Sequence, residues 1–193
     1  IGDFGRARLY LDQSRRIAES EDSPRGRAFV YFTDGDLALE EGQYSAALGA
    51  YERARALFEE LGEMSRVHEM ITKACWAAIH LGDMKAANKR FKILPSTPEA
   101  NSLPFARRQA LKGALMILEY ETGNLNNTDD AGGFAVLAEA IEDIERLRAD
   151  DDAFHTLTWL SKCYEARGDT KSAAATNMRL RALAERTAEK LSD

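Results

Sequence analysis

The residues of this chain best suited to chemistry are its three histidines and two cysteines, and their spacing limits what that chemistry can be. His68 and Cys75 stand seven residues apart, two helical turns, and His80 follows, so a helix could offer imidazole and thiolate ligands to a metal ion. A structural zinc site needs four such ligands, and no Cys-x-x-Cys supplies the others. Glu69 with His80, and Glu165 with His155, are pairs of the types that acid–base catalysis uses. No Gly-x-Ser-x-Gly, His-Glu-x-x-His, phosphate loop or dinucleotide fingerprint accompanies them. These side chains therefore read as packing and surface groups. No catalytic residue, metal ligand or cofactor is assigned, and the chain is not expected to be an enzyme.

The elements that carry these residues are organised around the stretch from Ala38 to Gly62, where apolar positions recur at three- and four-residue steps on either side of Gly42. The same punctuation returns at Gly2, Gly82, Gly123 and Gly168, and a period near 40 residues marks a helical repeat array. Helices are expected over 2–20, from Pro24 to about Glu41, over 44–61, 64–81, 84–94, 105–122, 134–147 and 154–167, and from Thr170 to about Leu191. Ser23 caps the second of these, with Pro24 in its first turn. The segments 95–104 and 124–133 read as loops because they collect proline, or glycine and polar residues. The first helix carries Phe4, Ala7, Leu11 and Ala18 on one face without a preceding partner, so residues 1–22 read as a half repeat of a longer protein. The segments 23–62, 63–102, 103–149 and 150–193 follow as repeat-like units of one domain.

Composition sets the outer limits. At 45% apolar and 30% charged residues, the chain has the make-up of a globular domain. No apolar run of 18 residues suggests a membrane span, and no membrane partner is expected. Two isolated cysteines suit a reducing compartment, which makes cytoplasmic the expected location. A net charge of −6 argues against nucleic acid as a partner. The charge is uneven, +6 over residues 85–112 and −9 over 119–152, and reads as solvated outer faces.

At Tyr31, Gly35, Ala38, Gly42, Tyr44, Ala47, Tyr51 and Ala54, residue types and spacing resemble the tetratricopeptide repeat. A second copy runs through Leu157, Leu160, Ser161, Tyr164, Gly168 and Ala173, and a third through Cys75, Ala78, Gly82, Met84, Ala87 and Phe91; the copy around Gly123 is degenerate. HEAT-like repeats share the repeat length but not the glycine–aromatic–alanine signature at each turn. The resemblance implies an all-α fold, a right-handed α-α superhelix of about four repeats plus the N-terminal half repeat. It also implies a concave groove lined by the first helix of each pair, which holds a peptide or partner helix. On that basis the partner-binding residues are Phe29, Phe32, Asp36 and Leu39, then Glu69, Thr72, Trp76, Ile79 and His80, then His155, Thr158 and Lys162. Phe32 and Asp36 stand where the family's carboxylate-clamping repeats need lysine and asparagine, which points to an apolar or mixed peptide.

The expected function is thus a protein- or peptide-binding module of a larger protein. Two alternatives are a ligand- or peptide-sensing domain of a bacterial signalling protein or transcription regulator, and a self-assembling scaffold. Trp76 reads equally as a groove anchor and as a packing residue between repeats. The unpartnered stripe of the first helix implies weak self-association.

Overall fold

In a computed structural model of the chain, residues 4–96, 99, 102–121 and 130–192 are described, and their regular structure is all α-helix. Two compact units form, Ile1–Ser96 and Thr97–Asp193. The first contains α1 (Phe4–Ser20), α2 (Pro24–Glu40), α3 (Tyr44–Glu60), α4 (Met64–His80) and α5 (Met84–Ile93). The second contains α6 (Leu103–Glu121), α7 (Asp130–Arg146), α8 (Asp150–Ala166) and α9 (Thr170–Ser192). None of the described helices is long and apolar enough to cross a membrane.

Helices of 17 residues joined by three-residue turns set the frame from α1 to α4, and again from α7 to α8. The period of 40 residues in the sequence is two of these steps. Each turn reverses the chain in the same way. Gly42 has φ +73°, its N–H donates to the Leu39 carbonyl, and the Gln43 N–H donates to the Ala38 carbonyl at 2.8 Å. This paired arrangement satisfies the last free carbonyls of α2 and needs a left-handed residue, which glycine adopts without a β-carbon clash. Gly62, Gly82 and Gly168 do the same for α3, α4 and α8, whereas Asp22 (φ 46°) and Arg148 (φ 58°) hold the equivalent place after α1 and α7. At the other end of the turn, Ser23 Oγ accepts from the Gly26 N–H at 3.0 Å and Pro24 occupies the first turn of α2.

Successive helices pack side by side within each unit, and ion pairs join α2 to α4, α3 to α5, α6 to α8 and α7 to α9. In the first unit Lys73 of α4 reaches Asp36 of α2 at 2.8 Å, and Arg90 of α5 reaches Glu52 of α3 at 2.8 Å. In the second, Arg107 of α6 pairs with Asp152 of α8 at 2.8 Å, and Arg179 of α9 with Glu145 of α7 at 2.8 Å. Each unit is thus two-layered, with α2 and α4 in one layer against α3 and α5, and α6 and α8 in one layer against α7 and α9.

Small residues let the layers meet. Ala47, Ala50 and Ala54 of α3 are fully buried beside Tyr51 and Phe58. The Tyr51 ring lies so close over α2 that a β-carbon on Gly35 would sit 2.6 Å from its Cε1. The most enclosed helix of the first unit is α4, where every residue from Ala74 to Ile79 is buried.

Three boundaries differ from those read in the sequence. Helix α7 starts at Asp130, so Asp130–Gly133 of the expected glycine-rich loop is its first turn; the remainder of that loop, and the degenerate turn around Gly123, lie outside the described residues. Helix α8 begins at Asp150 and takes all three aspartates into its first turn, where their charge suits the positive end of the helix dipole. Helix α6 begins at Leu103, which places Pro104 in the first turn, a position where no amide donor is required. On α1, Leu11 and Ala18 are buried, while Phe4 and Ala7 are exposed.

Candidate functional site

Phe29, Phe32 and Asp36 recur at three- and four-residue steps on α2, and Arg66, Glu69 and Lys73 do so on α4, the next helix of the same layer. Their side chains meet in one strip. The Phe29 and Phe32 ring centres are 6.5 Å apart, and Phe29 packs edge-on against Phe58 of α3 at 5.4 Å. The guanidinium of Arg66 lies 5.4 Å from the centre of Phe29, and the Lys73 ammonium 5.3 Å from that of Phe32. A cation over a ring face is held by the ring's quadrupole, so both aromatics carry a positive lid.

The polar members are fixed by their neighbours. Asp36 Oδ1 accepts from Lys73 Nζ at 2.8 Å and from the Tyr51 hydroxyl at 2.8 Å. Burial, and then the charge of Asp36, push the Tyr51 hydroxyl well above the usual phenol range, so it stays protonated as a donor. Glu69 accepts from Arg66 at 2.7 Å. Phe29, Phe32, Asp36 and Glu69 are all half-buried, each with part of its surface open. The strip therefore offers apolar area and charge of both signs within one helix-to-helix step. Arg66 and Lys73 were not among the residues singled out from the sequence. The available signal was local for one of them: Arg66 stands three residues before Glu69, the spacing of a helical ion pair.

Other residues expected to line the groove are enclosed. Leu39 is 5% exposed, Thr72 7%, Trp76 5% and Ile79 2%, which leaves these four no open surface for a ligand to meet. Thr72 donates its hydroxyl to the His68 carbonyl, as threonines inside helices commonly do. His80 is half-buried and stacks on Tyr44 of α3, with ring centres 4.5 Å apart. In the second unit His155, Thr158 and Lys162 follow one another along α8, half-buried, half-buried and exposed. His155 lies against Phe154, and Thr158 Oγ1 is enclosed with no hydrogen-bond partner among the described residues.

The pairs that suggested chemistry are held apart. Eleven residues of one helix separate Glu69 from His80 by roughly 16 Å along the axis, and ten separate His155 from Glu165 by roughly 15 Å. Glu165 instead accepts from Ser161 and Asn177 of its own hairpin. Cys75 donates its thiol to the Ala87 carbonyl at 3.4 Å, and burial pushes that thiol up to about 12. Cys163 is likewise pushed up to about 12, by burial first and by the charge of Glu121 second. Among the described residues no group of three or more His, Cys, Asp or Glu is placed to hold a metal ion.

No protein-family model, curated protein or solved structure matches this chain. What its own geometry defines is a class: an all-α protein of stacked helical hairpins, with a partly open aromatic and charged strip on one layer of its first unit.

Proposed function

We propose that this chain is a protein- or peptide-binding module, and that it binds through the α2–α4 strip. One observation supports this above the others: Phe29 and Phe32 are held part-open beneath Arg66 and Lys73, while Val30, Leu37, Leu39, Trp76 and Ile79 of the same two helices are enclosed. Aromatic rings and arginine dominate binding hot spots because they supply large contact area with few degrees of freedom. The ligand is a mixed peptide, with an apolar side chain displacing the cationic lids and an acidic one meeting them. Tyr44 with His80, and α8 with His155, Thr158 and Lys162, are secondary contact points in this reading.

A tetratricopeptide-like character has its own support, from the close seat of Tyr51 on Gly35 and the fully buried alanines of α3. Two buried free thiols support a reducing, cytoplasmic setting.

Peptide display on the intact chain tests the proposal. Selected peptides are expected to lose at least tenfold in affinity for Phe32→Asp, with its helical melt preserved as a control. Peptides that bind parent and variant alike, or the absence of any selectable binder, overturn it.

A further inference from the structure

The α2–α4 strip is charged in a fixed order along its length. On α2, Arg25, Phe29, Phe32, Asp36 and Glu40 follow one another at three- and four-residue steps, a stripe of roughly 22 Å at the helical rise per residue. Ion pairs flank this stripe, and the two side chains of each pair differ in how far they face water. Arg25 is 65% exposed against 23% for Glu63, Arg66 39% against 18% for Glu69, and Asp36 35% against 16% for Lys73. A ligand arriving from solvent therefore meets arginine at the Phe29 end and carboxylate beyond Phe32. Asp36 is held there from behind: its Oδ1 accepts from both Lys73 and the Tyr51 hydroxyl, and Oδ2 takes part in neither bond. Glu40, exposed and one turn further on, acts through its charge on the same Tyr51 hydroxyl, which places it at the acidic end.

This order runs against what α2 itself favours. The helix dipole is complemented by acids in the first turn and cations in the last. Helix α2 has neither: Arg25 stands in its first turn, and Glu40 closes its last. Charges set against local preference mark a place where something other than helix stability is served.

Resting on the reading of this strip as a peptide site, we infer that its ligand is a segment of a partner protein that is acidic at one end, apolar in the middle and basic at the other. The acidic end lies over Arg25 and Arg66, the apolar side chains over Phe29 and Phe32, and the basic end against Asp36 Oδ2 and Glu40. Each ligand charge then meets the more exposed member of a pair, or Glu40. A segment of one sign throughout fits one end and is repelled at the other, so the order of charge selects the partner.

The test titrates the intact chain with two synthetic peptides of one composition, read by fluorescence anisotropy. One has paired glutamates, then leucines, then paired lysines; the other has the same leucine centre with glutamate and lysine mixed at both ends. The segregated peptide should bind at least about threefold more tightly, the scale of a few exposed ion pairs, and the preference should shrink at high salt. Arg25→Glu combined with Glu40→Lys opposes the charges of Arg66 and Asp36 without touching either ring. That double variant should bind the two peptides equally, with its thermal melt preserved. Phe32→Asp should cost both peptides at least tenfold. Equal binding of the two peptides by the parent, or a preference that survives in the double variant, overturns this inference while Phe32-dependent binding leaves the strip standing as a peptide site. Binding that ignores Phe32→Asp overturns the reading of the strip and this inference with it.

Discussion

Gly113 of α6 and Gly133 of α7 bring two helix backbones into direct contact: a β-carbon on Gly113 would lie 2.9 Å from the Gly133 carbonyl oxygen and 2.8 Å from the Leu137 amide nitrogen. A β-carbon on Gly133 would in turn lie 3.2 Å from the Gly113 carbonyl oxygen. Neither backbone can yield without separating the two helices, so close packing at this crossing depends on both glycines.

Gly113→Ala should therefore destabilise the protein, an overpacking cost of about 1–3 kcal/mol exceeding the gain of up to about 1 kcal/mol in helix propensity. Gly49 is also inside a helix, yet a β-carbon there meets nothing within 4 Å. Gly49→Ala should stabilise by about 0.5–1 kcal/mol, or a few degrees in Tm. Thermal melts of the two variants should move in opposite directions, and a shared direction contradicts the packing described.

Asp22 and Arg148 occupy the left-handed turn position that glycine fills elsewhere. Asp22→Gly should relieve roughly 1 kcal/mol of backbone strain, less a few tenths for its exposed pair with Arg27. Gly42→Ala, at φ +73°, should cost about 1–2 kcal/mol. Denaturant midpoints at constant m-value check both.

The buried thiols of Cys75 and Cys163 set a pH dependence. Both are raised from an ordinary value near 9 to about 12 in the folded protein, so the folded state binds protons that the unfolded state has released. Their contribution is fully present below pH 9 and is lost as pH rises from about 9 towards 12. Stability should fall over that window, and fall less in a Cys75→Ala, Cys163→Ala double variant. At pH 8 Ellman's reagent should react with neither thiol until the chain is unfolded, because the thiolate is the reactive form.

Trp76→Ala should remove an enclosed side chain at a cost of about 3–5 kcal/mol, visible as a large drop in Tm. Ala47→Arg, at a position with no exposure, should cost a few kcal/mol through overpacking and burial of charge. A parent-like melt for either would place that residue outside the core.

Much of the frame was legible from the sequence because it is fixed locally. A left-handed turn asks for glycine whatever surrounds it, so Gly42, Gly62, Gly82 and Gly168 announced their turns. Ser23 with Pro24 announced a helix start for the same reason, since both act within one turn of chain. The three- and four-residue apolar spacing then determined that the chain is helical and repetitive.

Tertiary structure alone decided what each ambiguous residue does. Glycine at 133 reads as a loop signal, and it became a helix contact because Gly113 of another helix lies against it. Trp76 suited groove and core alike until the packing around α4 enclosed it. Lys73 became part of the candidate site through Asp36, a residue 37 positions away. Backbone conformation is set by a residue and its immediate neighbours, whereas burial and pairing depend on which distant segments arrive beside it, and those are specified only when the helices have packed.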